Sequence, residues 1–159
     1  MAVINTYQLS TSIKSEGNGG QVIALAGSFE TVATDSAGSK YRLARVGADW
    51  VPLSIDINCD AISGLDDVDL GFYELLERGG AAKDADILLD GGDISAGKAL
   101  GSEQNGLASL PIDEIGDPVY SLADDSDPSE QMYDLVLTSN NAVAQAGTVS
   151  IRALFVKSA

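Results

Sequence analysis

The sequence predicts an all-β fold: a single antiparallel sandwich, a jelly roll of the Greek-key kind, preceded by an extended N-terminal arm. Three observations lead there. Apolar and polar residues alternate with period two in several separate segments, the pattern of half-buried strands. Seventeen glycines against four prolines provide many turns. Long inserts separate some of the strands, which favours a Greek-key path over a simple meander. The chain has 159 residues, enough for one domain with a real core. The expected boundaries are an arm over residues 1–20 and the sandwich over 21–159.

Taken in order, residues 1–20 are polar, include Tyr7 and end in EGNGG, a flexible joint. QVIALAGSFETVA (21–33) predicts a strand, closed by a turn at TDSAGSK. In KYRLARVGADW, Tyr41 and Leu43 alternate with Arg42 and Ala44. VPLSIDIN alternates most clearly: Val51, Leu53, Ile55 and Ile57 share one face, and Ser54, Asp56 and Asn58 the other. Pro52 has no N–H to give a neighbour, so this strand starts there or lies at an edge. VDLGFYEL places Val68, Leu70 and Phe72 inward and Asp67, Asp69 and Tyr73 outward. LLERGGAAKDADILLDGGDIS combines a short helix with a short strand, DILLD, closed by Gly91 and Gly92. One helical turn is expected near LPIDEIG or PVYSLAD. QMYDLVLTSN and GTVSIRALFV predict an antiparallel pair; in the second, Val149, Ile151, Ala153 and Phe155 alternate with Ser150, Arg152 and Leu154. The total is about six or seven strands of roughly five to nine residues, the range of a sandwich or barrel.

Charge and composition narrow the function. Nine basic residues face 24 acidic ones, for a formal net charge of −15. Such a surface repels nucleic acid and anionic lipid, because phosphate binding needs Lys and Arg to displace counterions. The longest apolar run, VIALAG, is far too short to span a bilayer as a helix. The N-terminal residues lack a basic segment followed by an apolar stretch, so no signal peptide is expected. There is no histidine, which takes away the commonest general base and neutral metal ligand and with them Ser–His and Cys–His nucleophiles. Cys59 is the only cysteine, so no intrachain disulfide and no Cys-rich zinc site can form. It reads as a small buried side chain near a strand end.

The acidic clusters pose the sharpest choice. Asp67 and Asp69 on one strand face lie about 6.5–7 Å apart at Cα, within the roughly 5–9.5 Å that separates glycosidase carboxyls. Val68, Leu70 and Phe72 fix the opposite face inward, which makes the pair the wet side of a strand. KDADILLDGGD fails the calcium-loop pattern, with leucines where an oxygen ligand and a glycine are needed. ADDSDPSEQ has Asp125, Asp127 and Ser129 at alternate positions but no glycine and no closing glutamate; it fits a turn or an irregular calcium site. No glycine pattern cradles phosphate. No cofactor and no metal is expected. Lys40, Arg42 and Arg45 form the one local basic patch, either balancing surface charge or meeting an acidic partner or a neighbouring copy. Trp50 reads as a core or rim aromatic ahead of a ligand platform. No Ser–Lys dyad stands out among five lysines.

SAGSKYRLARV, VPLSIDINCDAISGLDDVDLGFYE, DADILLDGGDIS and EQMYDLVLTSNNAVAQAGTVSIRALFV together resemble a group of small tailed-bacteriophage virion proteins. These are encoded near the major capsid protein and are often head-decoration, or cement, proteins. The likeness covers residues 36–156, and its motifs are structural. It implies a non-enzymatic structural protein made in the host cytoplasm. Such a protein binds the outer surface of the capsid as an oligomer, a homotrimer ahead of a homodimer, and stabilises the head lattice. Its partners are then the major capsid protein and itself. The arm with Tyr7, and Tyr41, Arg42, Arg45 and Trp50, are the expected contacts. The rival readings are a tail- or fibre-associated sandwich, a free carbohydrate-binding module, and a glycosidase built on Asp67 and Asp69.

Overall fold

The computed structural model describes residues 3–4, 10–17, 20–126 and 132–157, with side chains from residue 22 onward. The alternating segments form strands β1 (Val3–Ile4), β2 (Ser10–Gly17), β3 (Gly20–Thr31), β4 (Ser39–Gly47) and β5 (Trp50–Cys59). They continue as β6 (Val68–Tyr73), β7 (Ala82–Gly92), β8 (Gln104–Asn105), β9 (Met132–Ser139) and β10 (Gly147–Lys157). One helical turn is expected near LPIDEIG or PVYSLAD; both places carry one, a 3₁₀ turn at Ile112–Glu114 and a one-turn helix α1 at Val119–Leu122. The short helix expected in LLERGG is a single 3₁₀ turn, Leu76–Arg78.

The strands make two sheets, in the orders β2-β3-β10-β5-β8 and β1-β4-β9-β6-β7. From β3 onward the chain switches sheets repeatedly, and the inner orders 3-10-5-8 and 4-9-6-7 are those of a jelly roll. Every pairing is antiparallel except that of β1, which runs parallel to β4. The segment expected as an arm therefore lines two sheet edges, β1 beside β4 and β2 beside β3. The core lies between the sheets. Val149, Ile151, Ala153 and Phe155 of β10 face Leu70, Phe72, Leu135 and Leu137 of the other sheet's strands, all buried.

Three bulges shift side chains from the faces expected of them. Between β5 and β10, Ser54 opposes Leu154 but Pro52 opposes Phe155. Leu53 is the additional residue, and a one-residue slip reverses the faces on either side of it. Pro52 is therefore buried and Leu53 is 51% exposed, so the expected face of Val51, Leu53, Ile55 and Ile57 is split. β5 begins at Trp50, two residues before Pro52, and lies between β10 and β8; because β8 pairs only with Asp56 and Ile57, Pro52 stands on a local edge.

In β4, Arg42 opposes Val136 and Ala44 opposes Leu135. The bulge at Leu43 turns both Leu43 and Ala44 into the core; Ala44 does not sit outside with Arg42 as simple alternation predicts. In β7, Asp84 pairs with Phe72 and Leu89 with Leu70, so four residues of β7 span what one residue of β6 spans. The looped-out backbone passes over Gly71, where a Cβ would overlap the carbonyls of Asp84 and Ala85; only glycine allows that approach. The short strand expected at DILLD thereby becomes the longer β7.

Candidate functional site

The outer face of β4, β9 and β6 gathers two of the five expected contact residues, Arg42 and Arg45. In a regular strand, residues three apart point to opposite faces. The Leu43 bulge brings Arg42 and Arg45 to the same outer face, opposite Val136 and Asp134. Arg42 lies under the 74–80 segment. Its Nη1 donates to the Asp134 carboxylate and, at 3.2 Å, to the Glu74 carbonyl; its Nη2 donates to the Gly80 carbonyl at 3.1 Å. Gly80 has φ +64, and a Cβ there would meet the guanidinium.

Tyr73, expected in solvent, points outward but is only 3% exposed. The Arg42 guanidinium and the Lys40 ammonium lie 5.9 and 5.8 Å from its ring centre, and its hydroxyl meets Thr138 Oγ1 at 3.2 Å. Cation–π contacts of this kind favour an aromatic covered by cations. Arg45 is more open and donates to Glu77 Oε1 at 2.6 Å. That hydrogen bond holds the Glu77 carboxyl below its ordinary range.

The remaining expected contacts are scattered. Tyr7 lies outside the described residues. Tyr41 points into the core, stacks on Phe29 with ring centres 4.8 Å apart, and donates to Asp35 Oδ2 at 2.7 Å. Burial, and then that hydrogen bond, push its phenol far above the ordinary tyrosine range. Trp50 is half-buried at the sandwich rim, tilted 53° against Phe155 and lying over Gly47, where a Cβ would overlap the indole.

The acidic clusters are engaged in structure. The Asn140 amide nitrogen donates to Asp67 Oδ1 at 2.9 Å and to Asp69 Oδ2 at 2.8 Å, while Asp69 Oδ1 accepts from Gly91 N–H at 2.9 Å. The two carboxylates thus bind the β9–β10 connection and the end of β7 to β6. Asp93 accepts from the Ser95 hydroxyl and N–H, which lower its pKa. Asp125 accepts from the Tyr133 hydroxyl at 2.5 Å and from Lys83 Nζ at 3.4 Å; Asp127 and Ser129 lie outside the described residues. Among the described residues no three His, Cys, Asp or Glu converge as metal ligands.

Two open clefts, each about 530 Å³, flank the β5–β10 end. The first holds Cys59, whose thiol is pushed up mainly by burial and donates to the Ile94 carbonyl at 3.3 Å. A thiol shifted that way is a poor nucleophile at neutral pH.

What the molecule does present is apolar surface suited to protein contacts. On the outer face of β3, β10 and β5, Leu154 is 40% and Leu53 51% exposed, beside a shallow groove that also includes Ala24, Ala26 and Ser54. The turn after β8 exposes Ile112 and Ile115. Sequence reading missed these positions. A signal was present in LPIDEIGDP, where isoleucines sit in a loop bracketed by Pro and Gly, a setting that cannot bury both.

No protein-family model matches the sequence, and no curated protein matches it. Among solved structures, a chain of the cyanophage Pam1 capsid asymmetric unit superposes over 92% of this chain and 91% of that one, with a TM-score of 0.59 and 14% identity. At that identity the likeness is one of fold: this chain has, over nearly its whole length, the fold of a chain found in a phage capsid.

Proposed function

We propose that this chain is a structural, non-enzymatic protein of a phage virion, and that it acts as a decoration protein: a homotrimer bound to the outer surface of the head, clamping adjacent capsid subunits. The observation that carries the reading is the near end-to-end fold likeness to a chain of a phage capsid. The sequence resemblance to phage head proteins points the same way. So does the charge of −15, which suits an outer shell surface away from packaged DNA. The acidic residues support it too, since those that resembled a catalytic pair are tied up by Asn140.

The mechanism is mass action. A ligand that binds only the assembled lattice stabilises it by RT ln(1 + [L]/Kd), about 2.7 kcal/mol per site at a hundredfold excess over Kd. No chemical step is required, only a rigid domain and a matching surface.

Co-sedimentation with phage heads lacking this chain, alongside light scattering of the protein alone, tests the reading. Saturable binding at a fixed ratio to the capsid protein, with a trimer in solution, is the expected result. A protein that binds no head preparation and is monomeric would overturn it and favour a tail component or a free binding module.

A further inference from the structure

The turn between β8 and α1 is the most exposed apolar feature of the described surface. Ile112 is 89% and Ile115 68% exposed, three residues apart on one turn. Isolated surface leucines or isoleucines are common, but two together on a projecting turn, without a covering segment, form an anchor.

This turn is held rigid from both sides. Glu114 N–H donates to the Pro111 carbonyl and Asp117 N–H to the Glu114 carbonyl, both at 3.0 Å. Before the turn, Ser109 N–H donates to the Leu88 carbonyl at 3.0 Å, and Asp90 N–H donates to Ser109 Oγ at 2.9 Å. After it, Val119 and Leu122 are buried and Tyr120 N–H donates to the Ala48 carbonyl at 3.0 Å. An anchor already held in its bound shape loses little conformational freedom on docking.

Charge identifies the occupant. Asp113, Glu114 and Asp117 surround the two isoleucines without a basic residue between Leu100 and Asp125. The complementary surface is an apolar socket with a basic rim. Charge disfavours a second copy of this chain as that surface. Its net charge is −15, and five of its nine basic side chains are already engaged: Arg42 with Asp134, Arg45 with Glu77, Lys83 with Glu74 and Asp125, Arg152 with Asp56 and Glu103, and Lys40 over Tyr73.

We infer that the Ile112–Ile115 turn docks into a basic-rimmed apolar socket on a different protein of the head. The inference rests on the capsid reading above. Two variants test it in the head-binding assay: Ile112→Ser with Ile115→Ser, and Asp113→Asn with Glu114→Gln. All four side chains lie on a surface turn, so melting temperature and oligomeric state should match the wild type. The isoleucine variant should bind heads about tenfold or more weakly, as expected for loss of a buried anchor. The neutralised variant, which keeps Asp117, should bind more weakly at low salt and show a reduced salt dependence, because screening acts on the charge term alone. Wild-type binding with unchanged binding by both variants would overturn the inference and leave the capsid reading intact. Conversion of the isoleucine variant to monomer would overturn it too, by placing a second copy on the turn. Failure of the wild type to bind any head would sink the capsid reading itself, and this inference with it.

Discussion

Arg42 and Asp134 form an ion pair on the outer face of the β4–β9 sheet with only 3% and 0% of their side chains exposed. They are 92 residues apart in sequence, and the Leu43 bulge together with the 74–80 segment seals them from water. Two of the guanidinium nitrogens are satisfied by Asp134 and two backbone carbonyls, while the buried Nε has no partner among the described residues. A basic residue expected to meet a partner thus holds a loop of its own chain.

Breaking that pair should be costly. Arg42→Met takes the guanidinium from a buried carboxylate, and urea unfolding should show a loss of about 3–5 kcal/mol. The double variant Arg42→Met with Asp134→Leu should recover most of that loss, since matched apolar replacements often do as well as a buried ion pair. A double variant no more stable than the single one would show that Arg42 acts mainly through the Glu74 and Gly80 carbonyls.

Gly71→Ala should destabilise the sandwich by about 1–3 kcal/mol, the usual cost of overpacking. The new methyl would overlap the β7 backbone at Asp84 and Ala85, which cannot move as a side-chain tip can. Differential scanning calorimetry should show a drop of about 2–4 °C per kcal/mol for a chain of this size.

Asn140→Ala removes the amide that bridges Asp67 and Asp69. The site is half-buried, so the loss should be near the value of one ordinary hydrogen bond, about 1 kcal/mol. Amide exchange should rise first in the β9–β10 connection, and head binding should be unchanged. A large loss of binding with unaltered stability would return Asp67 and Asp69 to the functional surface.

Tyr41→Phe deprives the buried Asp35 carboxylate of its hydroxyl donor and should cost about 1.5–3 kcal/mol, the range for hydrogen bonds to charged groups. The phenol also sets an alkaline limit. Burial raises its folded pKa above the ordinary tyrosine value of about 10, so above that pH the unfolded chain releases a proton that the native chain keeps. Stability therefore falls as pH rises past that value. In an alkaline titration followed by phenolate absorbance, the Tyr41 share should appear only with unfolding. Tyr41→Phe should reduce the amplitude of that step.

Much of the architecture was legible because strand alternation is a local signal. Each of Val149, Ile151, Ala153 and Phe155 is buried as its spacing requires, and Pro52 lies near a strand start and on a local edge for want of an N–H. Bulges interrupted that legibility. Whether Leu53, Ala44 or Tyr73 faces water depends on a partner strand or loop far along the chain, and nothing in the residue itself announces the slip.

Periodicity and composition, being properties of short segments and of sums, were enough for the all-β class, the acidic charge, the lack of histidine chemistry and the jelly-roll expectation. Long-range packing was needed to bury Arg42 against Asp134, to join Asp67 and Asp69 through Asn140, and to leave Ile112 and Ile115 exposed. Those outcomes depend on pairings across 71 to 92 residues and on which segments happen to be covered. Register and burial are set by the whole packed chain, not by the residues they affect.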